Sequence, residues 1–360
     1  MKIFKSPIFL ISVLVLIMIV VGYKLKQYTA EEVLKNIITE VKIEFPQRPY
    51  DLYDVAFVAP ATYIAVGSNG MILRSEDRGE TWVEQSLELP GDNLLSVAFA
   101  DENHGWIVGT STLIYRSADG GKSWKPAYLG PTATCSVNLQ CGDTLWRRVY
   151  FANDRVGWIA GEGPTLLNTK DAGKTWEERD IGTDFVILND VAFHSPNDGI
   201  VVGENGTIRY TEDGGETWTG VEGVTNQPIM RIHIIDDKKA LAAGLGGLLI
   251  YTEDKGKTWK KIPASNEKGP IENHVFGCAW LPAMGGPNDV IYAIGDGWLA
   301  GSFDFGRSWR SCNRIENDDA RVAYQSFFAV DFLDSCNGII VGKRGVIART
   351  KDASTWKRVH

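Results

Sequence analysis

The chain has 360 residues, 44% of them hydrophobic, which is enough for one large repeat domain with a continuous core. Its formal net charge of -8 argues against a general nucleic-acid binder, which needs a basic stripe. Thirty-eight glycines suit a turn-rich chain, and beyond residue 41 the long helical periodicity of an α/β enzyme is missing.

Lys2 and Lys5 precede an apolar run from Ile8 to Val21, broken only by Ser12. That length fits a short membrane anchor or the core of a signal peptide. Lys24 and Lys26, directly behind Gly22, favour an uncleaved anchor over residues 1–28, with the cleaved signal as the alternative. Thr29-Ala30-Glu31-Glu32 has the form of a capping box, and Val33, Leu34, Ile37, Ile38 and Val41 recur at helical spacing. A short amphipathic helix over about 30–41 is therefore expected within a stalk and linker at 29–50.

Seven copies of Ser/Thr-x-Asp-x-Gly-x-Thr/Ser-Trp punctuate the rest of the chain. Their aspartates are Asp77, Asp119, Asp171, Asp213, Asp254, Asp304 and Asp352. Their tryptophans are Trp82, Trp124, Trp176, Trp218, Trp259, Trp309 and Trp356, at steps of 41 to 52 residues. The last copy is one residue short and has Ser354 in the glycine position. Such a period marks propeller blades. Asp and Ser/Thr oxygens accept bonds from nearby backbone N–H groups, Gly takes positive φ, and Trp offers an apolar face to a neighbouring sheet. The boxes thus read as structural staples, not as catalytic or metal sites.

Around each box the same strand signals repeat. An inner strand opens as Asp54-Val-Ala-Phe57 or Ser96-Val-Ala-Phe99; a second strand ends in a glycine turn such as Val202-Gly203; a third runs into the box, whose Trp opens a fourth. Residues 51–360 are therefore expected to form an all-β, seven-bladed propeller of four-stranded blades. Blade seven should be nearly self-contained, with Lys42 to Phe45 adding an edge segment.

This strand order places the box turns on one face, and the second-to-third turns and interblade links on the other. The longest insertions, 125–146, 260–274 and 311–325, fall in the links, which makes the link face the candidate binding face. Its central mouth should collect Asp54, Arg148, Asp190 and Arg231, with Arg147, Arg344, Lys343, Arg321, Glu204, Asp296, Trp146 and Trp298 nearby. A polar mouth with exposed aromatics suits a peptide loop or an acidic partner segment; a merely solvated rim is the alternative.

Five cysteines are present. Cys135 and Cys141 flank a short loop that suits a local disulfide in an oxidising compartment, and Cys312 with Cys336 is a second candidate pair. Cys278 reads as a buried apolar residue, and unpaired thiols throughout are the alternative. His104, His194, His233, His274 and His360 have no metal-ligand spacing, and there is no Cys-x-x-Cys or phosphate-binding loop. No cofactor, metal or catalytic set is expected.

The boxes resemble the Asp-box of bacterial neuraminidase repeats over residues 75–356, and this similarity implies a sialidase-like carbohydrate-active enzyme as one function. Lys261-Ile262-Pro263 lacks the arginine that sialidases carry in their Phe/Tyr-Arg-Ile-Pro motif. The turns before each box, such as Val202-Gly203-Glu204-Asn205-Gly206-Thr207-Ile208, extend the similarity to the photosystem II assembly and stability factor family. That resemblance implies a seven-bladed, non-enzymatic scaffold that holds subunits of a membrane complex through an arginine-rich face. Arg148 and Arg231, with Arg147 and Arg344, are the matching arginines; Asp54 and Asp190 interrupt the basic ring. The expected setting is a bacterial inner membrane crossed once, with a monomeric propeller in the periplasm. A polymer-binding adhesin or exporter accessory stays open as a further function.

Overall fold

Four antiparallel strands follow one another in every repeat, and each set hydrogen-bonds within itself. In blade 1 these are Leu52–Ala59, Thr62–Gly67, Ile72–Ser75 and Val83–Glu84, from the centre outward. In blade 7 they are Phe327–Phe332, Gly338–Gly342, Ile347–Thr350 and Lys357–Arg358. The structure, a computed structural model, describes residues 50–127, 144–163, 165–182, 186–263, 265–266, 269–270, 272–281, 289–312, 315–316, 322, 325–334, 336–352 and 355–360. Among them are seven such four-stranded sheets and one two-stranded hairpin, Ser265–Asn266 with Gly269–Pro270, in the link after blade 5. The expected anchor, the amphipathic helix, Lys42 to Phe45, Cys135, Cys141, Arg321 and Ser354 lie outside the described residues.

Each blade is coated with apolar side chains on both faces, so the core is divided into seven layers, one between every pair of neighbouring blades. Every layer contains one box tryptophan, from Trp82 between blades 7 and 1 to Trp356 between blades 6 and 7. The Trp was expected to open the fourth strand. It stands one residue before it, as with Trp82 ahead of Val83–Glu84, since its ring turns back into the layer it shares with the preceding blade. Trp146 and Trp298, expected near the mouth, are also core residues, 1% and 5% exposed.

The boxes are closed hydrogen-bonded turns. In blade 4, Gly215 N–H donates to Thr211 Oγ1 (2.9 Å), whose hydroxyl donates to Asp213 Oδ1 (2.7 Å). The same carboxylate accepts Thr217 N–H at 2.9 Å and the Thr217 hydroxyl at 2.6 Å. These donors dominate over burial and hold Asp213 down at a pKa of about 2. The shortened seventh box keeps the Thr350–Asp352 bond (3.0 Å) and the bond from the threonine before its Trp, Thr355 N–H to Asp352 Oδ1, at 2.7 Å. The box glycine does more than accept a positive φ: a Cβ on Gly215 would lie 2.1 Å from Trp158 of the preceding blade.

Among the described residues, the four strands of blade 7 are consecutive in sequence; the edge segment expected from Lys42 to Phe45 lies outside them. Side chains make the joint: Arg349 Nη1 and Lys351 Nζ of blade 7 reach Glu80 Oε1 of blade 1 at 2.7 and 2.8 Å. Tyr50 Oη meets His360 Nε2 at 3.0 Å, and Arg344 N–H donates to Asp51 at 2.8 Å.

Candidate binding site

The inner strands enter the ring from the link face, and each carries an irregularity at its second residue. In blade 1 the register with the second strand breaks between Leu52 and Asp54, leaving Tyr53 as the extra residue of a bulge. The other six blades break at the same place. Seven bulge residues thereby form a collar: Tyr53, Leu95, Arg147, Asn189, Met230, Phe276 and Phe328 line one cavity of about 170 Å³. Tyr53 and Phe276 lie on either side of Phe328, with ring centroids 5.7 and 5.6 Å away. Five collar members are apolar or aromatic and two are polar, Arg147 in blade 3 and Asn189 in blade 4.

The residues next in sequence form the waist beneath the collar, and they include the four charges expected at the mouth. Asp54 Oδ2 accepts Arg148 Nη1 at 2.7 Å, the Ser96 hydroxyl at 2.9 Å and Val97 N–H at 3.1 Å. Its Oδ1 lies 3.4 Å from Arg231 Nη2. Arg148 Nε stands 3.0 Å from Asp190 Oδ1, an ion pair without hydrogen-bond alignment. Asp190 in turn accepts Ile232 N–H at 2.8 Å. Burial disfavours the Arg148 charge, but Asp54 and Asp190 outweigh it and raise its pKa; burial, then the neighbouring Arg148, lowers that of Arg231. The four side chains thus meet as expected, though as a neutralised and largely buried cluster: Asp54 and Asp190 are 3% and 1% exposed.

Below the waist, towards the box face, a second cavity of about 240 Å³ is lined by Tyr150, His233, Cys278 and Asp331, among others. Burial drives the Asp331 carboxyl up to a pKa of about 6, against the bonds it accepts from Phe57 N–H (2.7 Å) and Phe332 N–H (2.8 Å). Burial also raises the Cys278 thiol and lowers His233, so both are neutral groups here; Cys278 is the buried residue expected. Among the described residues no cluster of three His, Cys, Asp or Glu side chains could hold a metal ion.

The waist and the lower chamber share a second purpose. Side chains of one blade's inner strand bond to the backbone of the next: Asp54 to Val97, Ser96 to Val149 (3.3 Å), Tyr150 to Phe193 (3.1 Å), Asp190 to Ile232, His233 to Trp280 (3.2 Å) and Asp331 to Phe57. Inner-strand edges have no sheet partner towards the axis, and these stitches occupy their exposed N–H and C=O groups.

Of the remaining sequence candidates, Arg147 sits in the collar with its Nη2 4.0 Å from Glu162. Arg344 and Lys343 occupy the second-to-third turn of blade 7, and Glu204 and Asp296 the corresponding turns of blades 4 and 6. Sequence reasoning named one collar member, Arg147. The others differ in chemical type, and only counting one residue back from the aligned inner-strand starts would have found them.

The model of the Photosynthesis system II assembly factor YCF48 family matches residues 84–185 and 176–275, together more than half of the chain. The chain belongs to this family. No curated protein matches it by sequence. A solved structure of YCF48 bound to a D1 peptide is 20% identical, with TM-score 0.65 over 86% of this chain and 93% of that one. YCF48 from Cyanidioschyzon merolae is also 20% identical, with TM-score 0.63 over 86% and 97%. The GH74 xyloglucanase from Xanthomonas campestris is 15% identical with TM-score 0.65, and the match covers 54% of that longer chain. These likenesses show the propeller fold of this chain.

Proposed function

We propose that the chain is a non-enzymatic, membrane-anchored scaffold, an assembly or stability factor for a membrane protein complex. Residues 1–28 hold it in a bacterial inner membrane, 29–50 form the stalk, and a monomeric propeller over 51–360 works in the periplasm. It binds an extended segment of a complex subunit at the link-face mouth, through the collar with Arg147, the Arg344 turn, and a floor formed by Arg148, Arg231, Asp54 and Asp190. One observation carries this reading: seven bulges turn one side chain from each blade into a single collar at the axis, on the face that bears the long links. Family membership and the D1 peptide held by one structural neighbour support it.

A glycosidase reading draws on the GH74 neighbour and on Asp331, a carboxyl near neutral pKa in a channel cavity. Against it, the other carboxylates of the channel, Asp54 and Asp190, are engaged by guanidiniums and backbone N–H groups and are unsuited to proton transfer.

The test is purification of tagged full-length protein from membranes in mild detergent. Native protein should retain membrane-complex subunits, and an Arg147→Glu, Phe276→Ser, Phe328→Ser variant that still folds should lose them. Equal recovery with both would refute the link-face site. Charge reversal at Arg148 or Arg231 is unsuitable here because it breaks the waist.

A further inference from the structure

Resting on the reading of the link-face mouth as a peptide site, we infer that the segment bound there presents a large apolar side chain beside a lysine or arginine. This reverses the sign expected from an arginine-rich face. The arginines at the axis are already matched, Arg148 by Asp54 and Asp190 and Arg231 by Asp54, so they offer little unspent positive charge to an acidic partner.

The space decides the apolar part. A cavity of about 170 Å³ is below the roughly 300–1,000 Å³ of small-molecule and cofactor pockets, and it suits one or two side chains. Its walls are the Tyr53, Phe328 and Phe276 rings with Leu95 and Met230, completed by Arg147, Asn189 and the Asp54-paired Arg231; the apolar part is a surface whose further burial favours an aliphatic or aromatic occupant.

The rim decides the charge. Glu162, Glu204 and Asp296 follow the second strands of blades 3, 4 and 6, and Asp51 and Asp92 stand just before the inner strands of blades 1 and 2. Facing them are Arg147, 4.0 Å from Glu162 so that these two offset each other, and Lys343 and Arg344, both confined to blade 7; Glu204, Asp296, Asp51 and Asp92 stand against those two cations. Asn189, 5% exposed, adds a group that asks for a donor. Its Nδ2 reaches Glu204 Oε1 at 3.2 Å and the Ile229 carbonyl at 3.0 Å, both acceptors, which fixes the amide orientation. Its Oδ1 is then a buried acceptor with no partner among the described residues. A cationic side chain or peptide N–H beside the apolar anchor satisfies this oxygen and faces Glu204.

The experiment measures fluorescence anisotropy of three labelled peptides with the folded full-length protein. One has Lys-Leu-Phe-Arg at its centre, one Glu-Leu-Phe-Asp, and one Lys-Gly-Ser-Arg. The first should bind at least about tenfold more tightly than the other two at low salt, a preference shrinking as salt is added. Phe328→Ser or Phe276→Ser should abolish the difference between the first and third peptides, and Glu204→Lys should narrow that between the first and second. Two substituted phenylalanines guard against one variant that fails to fold. Equal or tighter binding of the acidic peptide, or no binding of the first peptide at about 1 mM, overturns the inference. Either result leaves the scaffold reading to stand or fall on the co-purification of subunits.

Discussion

Aspartate serves at two radii of this ring in opposite ways. At the box turns each carboxylate is surrounded by donors from its own turn, close to water, and is held ionised: Asp119, Asp171 and Asp213 all have pKa values of about 2. At the axis each carboxylate joins different blades, is buried or, for Asp331, half-buried, and exists in one copy; Asp331 has been pushed the other way, to about 6. Box turns are therefore local and redundant, whereas the channel groups are unique and couple the blades to one another.

That contrast makes the largest prediction one at the waist. Arg148→Ala leaves Asp54 and Asp190 buried without their main counter-charge, and should cost about 3–5 kcal/mol, read as a fall in the denaturant midpoint. A loss no larger than that at a box would mean that the channel network does not couple the blades.

The second prediction is a pH dependence of opposite sign at the two radii. Asp331 has a folded pKa of about 6 against an ordinary 3.8, so its buried charge penalises folding above pH 6. Stability should therefore rise, by on the order of 2 kcal/mol, as pH falls from about 7 towards 4. The box aspartates have depressed values, so their stabilisation is present above about pH 4 and is lost as pH falls towards 2. Carboxyl carbon NMR should show midpoints near 6 for Asp331 and near 2 for Asp213. An Asp331→Ala variant should lack the rise between pH 7 and 4.

The smallest effect belongs to a single box. Asp213→Ala removes bonds made at an exposed turn and should cost about 1 kcal/mol, with faster amide exchange limited to residues 211–218. Exchange that spreads through the neighbouring blades would erase the distinction between local turns and coupling channel.

The outer part of this comparison was legible in the sequence because it is local. Each box draws its partners from within five residues, so seven aligned copies disclosed the turns, the strand order, the blade count and the face of the links. The axis depends on side chains separated by forty residues or more. Asp54, Arg148, Asp190 and Arg231 could be placed together by counting strand starts, but nothing in their spacing reveals that they cancel one another and are covered. The collar was harder still: Tyr, Leu, Arg, Asn, Met and Phe share a bulge position and no chemistry, and the partly covered cavity they form exists only once the blades are assembled.

The six stitches around the channel omit one joint. In blade 6 the two stitching positions are Gly277 and Ala279, which have no polar side chain to offer blade 7, and among the described residues no inner-strand bond of this kind spans that gap. The chain ends, where a propeller is ordinarily expected to be weakest, are by contrast tied through Asp331, Glu80 and Tyr50. The ring is thus like a band whose clasp is stronger than one of its links. Under mechanical load, or on threading a bulky client through the centre, the tear would start between blades 6 and 7 and not where blade 7 meets blade 1, and a circular permutant with new ends there would keep every channel stitch.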